Sequence, residues 1–387
     1  MRGMCFAAAA LAVAFAGSAL AADPVKIGMI TTLSGPASGL GVDIRDGFAL
    51  AIEQEGGKLG GIAVELLVED DGLKPDKAKE IADRLVERDE VPILTGIVFS
   101  NLALAVVPKT VEGGVFYISA NAGPSDLAGE SCHENYFNVA WQNDNLHEAA
   151  GKYVADQGFE NVYILAPNYP AGKDALTGFK RFYKGELAGE VYTKLGQTDY
   201  AAELAALRDA KPDAVFFFLP GGMGISFIKQ YAQAGLNTEI PLFGPAFSFD
   251  QTILAAVGDA ALGVVNTSQW SKDIDNPANK AFVAGFEKAY GRLPSLYASQ
   301  GYDAARLIGS ALEAVGGDVS KADAFRAALK EADFESVRGK FRFGPNNHPI
   351  QDIYVRKVIA EDGLLTNEIV GTAFTDHQDA YAAECKM

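Results

Sequence analysis

The sequence predicts an α/β protein built from two successive parallel sheets, and three observations predict it. Short apolar runs bounded by Gly, Pro, Asn and Asp alternate with helix-period segments along the whole chain, which is the pattern of βαβ units. The chain's 387 residues exceed what one core usually serves. No low-complexity linker divides the chain, so the two halves are not beads on a string.

The elements follow in order. Val25-Lys26-Ile27-Gly28-Met29-Ile30 reads as a strand, and after a Gly-rich turn residues 43–55 read as a helix closed by Gly56-Gly57. Residues 64–68 form a second strand. Residues 76–88 form a helix, because Ala78, Ile81, Ala82 and Leu85 share one helical face. Ile93-Leu94 and 115–118 are further strands. The pattern then repeats, with strands at 162–166, 214–219 and 240–243 and helices at 173–184, 200–209 and 223–234. The last third returns to helices at 277–290 and 302–315 and to strand-like runs at 340–343 and 352–358. It is too small for a third core, so it completes the two earlier sheets and requires several chain crossings, which make a hinge. No short-period repeat is present, which argues against a solenoid.

Residues 1–21 have the layout of a secretory leader: Arg2, an apolar run over 5–16, then Ala19-Leu20-Ala21. The apolar run falls short of the roughly 20 residues that span a bilayer, and no later segment is longer. Cys5 precedes the run instead of standing at the cleavage site, which argues against a lipid anchor. The mature chain is therefore expected to be exported and soluble. Its formal charge is −17, or −18 once Arg2 leaves, so nucleic acid and anionic membranes would repel it. After cleavage two cysteines remain, Cys132 and Cys385, in a chain sent to an oxidising compartment. A disulfide between them is expected; two unpaired buried thiols are the alternative.

Enzyme signatures are missing. The glycines at 35, 39 and 41 lack G-x-G-x-x-G spacing, as does 221–224, and no G-x-x-x-x-G-K-S/T occurs. His133, His147, His348 and His377 stand apart, without H-E-x-x-H, Cys-x-x-Cys or G-x-S-x-G. No catalysis, metal or cofactor is expected.

Several segments carry a family likeness: Lys26-Ile27-Gly28 leading to Thr32-Leu33-Ser34-Gly35-Pro36, Gly47-Phe48-Ala49-Leu50-Ala51-Ile52-Glu53 with Gly56-Gly57, Glu69-Asp70-Asp71 with Pro75 and Ala78, and Gly344-Pro345. Together they resemble the type I periplasmic solute-binding proteins of the branched-chain amino acid ABC transporter family (Leu/Ile/Val-binding-protein-like), in an aromatic-acid-binding branch. The resemblance covers the whole mature chain. It implies two Rossmann-like lobes joined by a three-crossover hinge, residues 22–139 plus 270–349 forming one lobe and 140–269 plus 350–387 the other. It also implies a periplasmic monomer that takes a small-molecule ligand between the lobes and delivers it to ABC permease subunits. A periplasmic ligand sensor is the alternative class.

In parallel sheets, ligands sit beyond the carboxyl ends of strands, where helix N-termini attract anions. The loops at that edge are 33–41, 99–102, 120–124, 168–172, 221–224 and 246–250. By position in the matched motifs, Ser100 corresponds to the residue that holds a ligand carboxylate. Asn121, Ala122 and Gly123 belong to the loop completing that pocket, Tyr169 corresponds to the aromatic residue closing over the ligand, and Ser34 joins them from the first loop. Where amino-acid binders carry an acid for the ligand ammonium, this chain has Ala246. A buried ammonium without a counter-charge costs several kcal/mol, so the reading favours an aromatic carboxylate of benzoate or phenylpropanoid type. Phe99, Tyr169, Phe247, Phe249, Trp270 and Tyr297 are candidate ring walls.

Plainer readings stand beside these. Phe99, Phe247 and Phe249 equally suit core or hinge packing, and Ser100 suits a cap for the helix beginning at Asn101-Leu102. Asp70 and Asp71 read as a turn and cap before the helix after Pro75, not a metal pair. Asp250 is a replacement counter-charge for Ala246, which keeps branched-chain amino acids open; amides and urea stay open as well.

Overall fold

The computed structural model describes residues 23–387, and the expected leader with Cys5 lies outside them. The first sheet has the order β2-β3-β1-β4-β5-β6. Its centre is β1 (Val25–Thr31), which pairs in parallel with its neighbours on both sides. Ile27, Gly28, Met29 and Ile30 are all buried, as expected of a strand covered by helices on both faces. Helix α1 (Ser38–Gln54) follows, then β2 (Lys58–Leu59) and β3 (Ile62–Asp70) as a hairpin. Helix α1 begins five residues before the expected start. Its glycines mark close packing as well as a turn: a Cβ on Gly41 would lie 2.1 Å from the Thr32 carbonyl oxygen.

Helix α2 (Pro75–Glu87) buries Ala78, Ile81, Ala82 and Leu85, the face that its spacing predicts. Asp70 and Asp71 build the turn before it: their carboxylates accept the N–H groups of Leu33, Gly72 and Leu73 and the Thr32 hydroxyl. The lobe continues through β4 (Ile93–Thr95), α3 (Ser100–Glu112), β5 (Phe116–Ser119), the short α4 (Ser125–Ala128) and β6 (Tyr136–Asn138).

The chain then crosses to a second sheet, ordered β12-β13-β11-β10-β9-β7-β8 with β14 on β13. It contains α5 (Asn145–Asp156), β7 (Asn161–Pro167), α6 (Pro170–Phe182), β8 (Glu186–Thr193), α7 (Ala201–Ala210), β9 (Ala214–Phe217), α8 (Gly222–Gln233), β10 (Leu242–Pro245), α9 (Gln251–Val257) and β11 (Val265–Ser268). The chain returns with α10 (Pro277–Tyr290), which packs on α1, α11 (Leu296–Val315), which packs on the first sheet, and α12 (Ala322–Glu331), which packs on α11. The α1–α11 contact is so close that a Cβ on Gly47 would meet the Ala298 carbonyl oxygen at 1.9 Å. Phe325 of α12 packs edge-on against Phe116 of β5, 4.8 Å between ring centroids.

A third passage leads through β12 (Arg342–Phe343) into β13 (Pro349–Glu361), which pairs antiparallel with β11 and with β14 (Leu364–His377). The β13–β14 hairpin turns at Asp362-Gly363, both with positive φ, as tight two-residue turns require. The last third thus completes both lobes, and three strands of chain link them. Cys132, just after α4, is bonded to Cys385 near the C-terminus.

Candidate functional site: the cleft between the lobes

Strand ends from both sheets meet in the cleft. From the first lobe, the β4–α3 connection supplies Phe99 and Ser100, the β5–α4 loop Asn121 and Ala122, and the start of α11 Tyr297. From the second, the β7–α6 connection supplies Tyr169 and Ala171, the end of β9 Phe218, and the end of β10 Phe247. The first crossing adds Trp141 and Asn143, and the first turn of α5 adds His147. The space left between them is about 20 Å³, hardly more than one water molecule occupies, so the walls are drawn together. Every one of these residues is buried, so the lobes are closed over the space.

Ser100 is the first residue of α3, and the N-cap position is held by Phe99, which has no capping oxygen. The N–H groups of Ser100 and Asn101 find no backbone acceptor. The Ser100 hydroxyl oxygen accepts from Asn143 Nδ2 at 3.1 Å, leaving its own proton free to donate. Opposite, α6 starts with Pro170 and offers the Ala171 N–H, also without a backbone acceptor. Helices α3 and α6 touch, and the residues just before them, Phe99 and Tyr169, have ring centroids 6.2 Å apart. Two helix starts with open donors make an anion site without any cationic side chain.

The remaining walls are rings. Phe99 and Tyr169 approach across the cleft with centroids 6.2 Å apart, and Tyr169 lies near-parallel to Phe218. Phe247 stands edge-on to Trp141 at 4.4 Å and to Phe218 at 5.5 Å, and its centroid lies 6.5 Å from Tyr297. His147 Nδ1 lies 2.6 Å from the Asn143 carbonyl oxygen. Burial pushes its pKa down to about 3, so the imidazole is neutral at physiological pH. Among the described residues, no Asp, Glu, Lys or Arg borders the cavity.

A family model described as periplasmic binding protein matches residues 24–363. The chain belongs to the periplasmic binding protein family. Across 378 residues it is 32% identical to a Leu/Ile/Val-binding protein homolog 6 of Brucella melitensis, covering 94% of this chain and 95% of the relative. An ABC transporter solute-binding protein from R. palustris, solved in complex with benzoate, is 33% identical with a TM-score of 0.89, covering 94% of this chain and all of that one. Another, from Rhodopseudomonas palustris BisB5, solved with 3,4-dihydroxybenzoic acid, is 32% identical with a TM-score of 0.85, covering 92% and 99%. The protein is thus a periplasmic solute-binding protein of the ABC-transporter kind.

In this periplasmic binding protein Phe99, Ser100, Asn121, Ala122, Tyr169, Phe247 and Tyr297 gather around the cavity. Ser34, Gly123 and Ala246 do not border it. Ser34 is exposed and lies beside the Asp70 turn. The Gly123 N–H is taken by Asn143 Oδ1, and that of Ala122 by the Ile97 carbonyl, so their loop positions the site without presenting those donors. Ala246 is fully buried behind Phe247. Phe249 packs in the second lobe's core, and Trp270 donates to Asn279 against Phe282. Asp250 is likewise outside the cavity: its carboxylate accepts the N–H groups of Gln251 and Leu296, tying α9 to α11. Trp141, Asn143, His147 and Phe218 carried no sequence signal, because they lie in a crossing segment or past a strand end that no motif marks.

A second tie holds the lobes together beside the ligand space. Asp174 of α6 accepts both the N–H and the hydroxyl of Ser125 on α4, and a bond of 2.8 Å from Asn143 Nδ2. Burial pushes its carboxyl above the usual range, and the bonds from Asn143 and Ser125 oppose that. The two bonds from Ser125 run from one lobe to the other, so they favour the shut arrangement. Asp174→Ala is therefore expected to weaken ligand binding by about 1–3 kcal/mol, although Asp174 does not border the cavity. Titration calorimetry reads this directly, and wild-type affinity in the variant would show that the tie contributes nothing to closure.

Proposed function

We propose that the protein is exported through its leader to the periplasm, captures an aromatic carboxylate of benzoate type between its lobes, and hands it as a monomer to ABC permease subunits. The observation that carries the ligand assignment is the make-up of the cavity: open helix-start donors and the Ser100 hydroxyl for an anion, aromatic walls for a ring, and no acidic side chain for an ammonium. A standard amino acid would bury its ammonium unpaired, at a cost of several kcal/mol. The benzoate and dihydroxybenzoate found with the R. palustris relatives support the same reading.

Bound ligand raises the apparent stability in proportion to ln(1 + [L]/Kd). Benzoate is expected to raise the melting temperature while benzamide does not, since a neutral amide makes no charge-assisted bonds. Ser100→Ala is expected to weaken benzoate binding by about 1.5–3 kcal/mol, the usual worth of a hydrogen bond to a charged group. Equal shifts from acid and amide, or an unchanged Kd in Ser100→Ala, would contradict the anion site.

A further inference from the structure

His147 borders the cavity with one ring nitrogen bonded and the other without a partner. It sits on the first turn of α5, fully enclosed by the rings of Phe216, Phe218 and Phe247 at centroid distances of 6.0, 5.0 and 5.8 Å. Its Nδ1 faces the Asn143 carbonyl oxygen, which can only accept, so Nδ1 carries the proton. The ring is neutral, so Nε2 is a bare acceptor lone pair. Nε2 has no partner in the protein, and it lies on the side of the ring turned away from Asn143, in a residue that borders the cavity. A buried acceptor left empty is costly, and the surrounding rings offer no donor.

We propose that His147 Nε2 receives a hydrogen bond from a donor group on the ligand ring, so that the cleft selects hydroxylated or aminated benzoates over benzoate itself. This rests on the aromatic-carboxylate reading of the same cavity. It adds a second polar contact to that at Ser100 and gives His147 the role of specificity determinant. Asn121 Oδ1 is another cavity acceptor without a partner, its amide nitrogen being held by the Val98 carbonyl at 2.6 Å, and the hydroxyls of Tyr169 and Tyr297 also border the space. These are the rival recipients of such a donor. The imidazole is favoured because its own donor is fixed on the Asn143 carbonyl and the neighbouring rings of Phe216, Phe218 and Phe247 carry no hydrogen-bond donor.

The test is a calorimetric series on the wild-type protein with benzoate, 3- and 4-hydroxybenzoate, 4-aminobenzoate and 4-methoxybenzoate, the last carrying a ring oxygen without a proton. At least one hydroxy acid is expected to bind about tenfold tighter than benzoate and than the methoxy acid. Nitrogen NMR should show the His147 Nε2 resonance moving on addition of that hydroxy acid and staying in place with benzoate. His147→Phe, which keeps the ring and removes the acceptor, should erase the preference, so that the hydroxy acid binds no tighter than benzoate in the variant. Similar affinity for all five acids overturns the inference and leaves the carboxylate site intact, whereas failure of all five to bind overturns both. A hydroxyl preference that survives in His147→Phe, or a preference without any shift at Nε2, places the contact at another cavity group and also overturns it.

Discussion

Replacing Cys132 and Cys385 together by serine is expected to lower the stability of the protein by about 4 kcal/mol. The bond spans 253 residues of sequence, so its loss frees the unfolded chain far more than a short loop would. The native state loses an anchor as well. The C-terminal segment held by Cys385 carries Tyr381, whose hydroxyl donates to Asp144 at 3.0 Å, and Asp379, which accepts from Asn346. Asp144 also pairs with Arg181 of α6 at 2.7 Å, so the tail closes a network on the first crossing between the lobes. Denaturant unfolding of the two proteins reads the difference, with a higher m-value in the variant as a second sign of the freed chain. An unchanged midpoint would mean that packing of the tail, and not the bond, fixes the C-terminus.

Ala246→Glu is expected to abolish most binding of aromatic acids, by about 3 kcal/mol or on the order of a hundredfold in Kd. Ala246 has no exposed surface and adjoins Phe247, which does border the cavity. A glutamate there has no cationic partner among the cavity residues, so its carboxylate must displace Phe247 or face the ligand's own negative charge. Circular dichroism separates loss of fold from loss of site. A folded variant with wild-type affinity for benzoate would show that position 246 does not influence the cleft.

The α/β alternation was legible because each strand or helix obeys its own apolar period, as in α2 with Ala78, Ile81, Ala82 and Leu85. Helix α5 was not legible, since it buries His147 and Glu148 and so hides its apolar face behind polar residues that other elements satisfy. Strand β14 was missed for a related reason: one face is exposed and its residues mix Thr, Asn and Glu with the apolar positions. In the site, Ser100 and Tyr169 were legible through the family resemblance, by their positions in the matched motifs, and the structure puts each at the start of a helix. Asn143 and His147 were not, because only the meeting of two lobes makes the first crossing part of a cavity. Ala246 drew notice through a missing charge, and what lines the cavity is its neighbour Phe247.

The central claim is that this cleft holds an anion with an aromatic body and has nothing to neutralise an ammonium. The most direct measurement is calorimetric titration of the wild-type protein, freed of co-purified ligand by unfolding and refolding, with benzoate and with leucine in parallel. The account predicts saturable binding of benzoate and no heat of binding with leucine. Tight leucine binding with benzoate ignored would contradict it, and would require a counter-charge brought to the cavity from a residue that does not line it in the closed form.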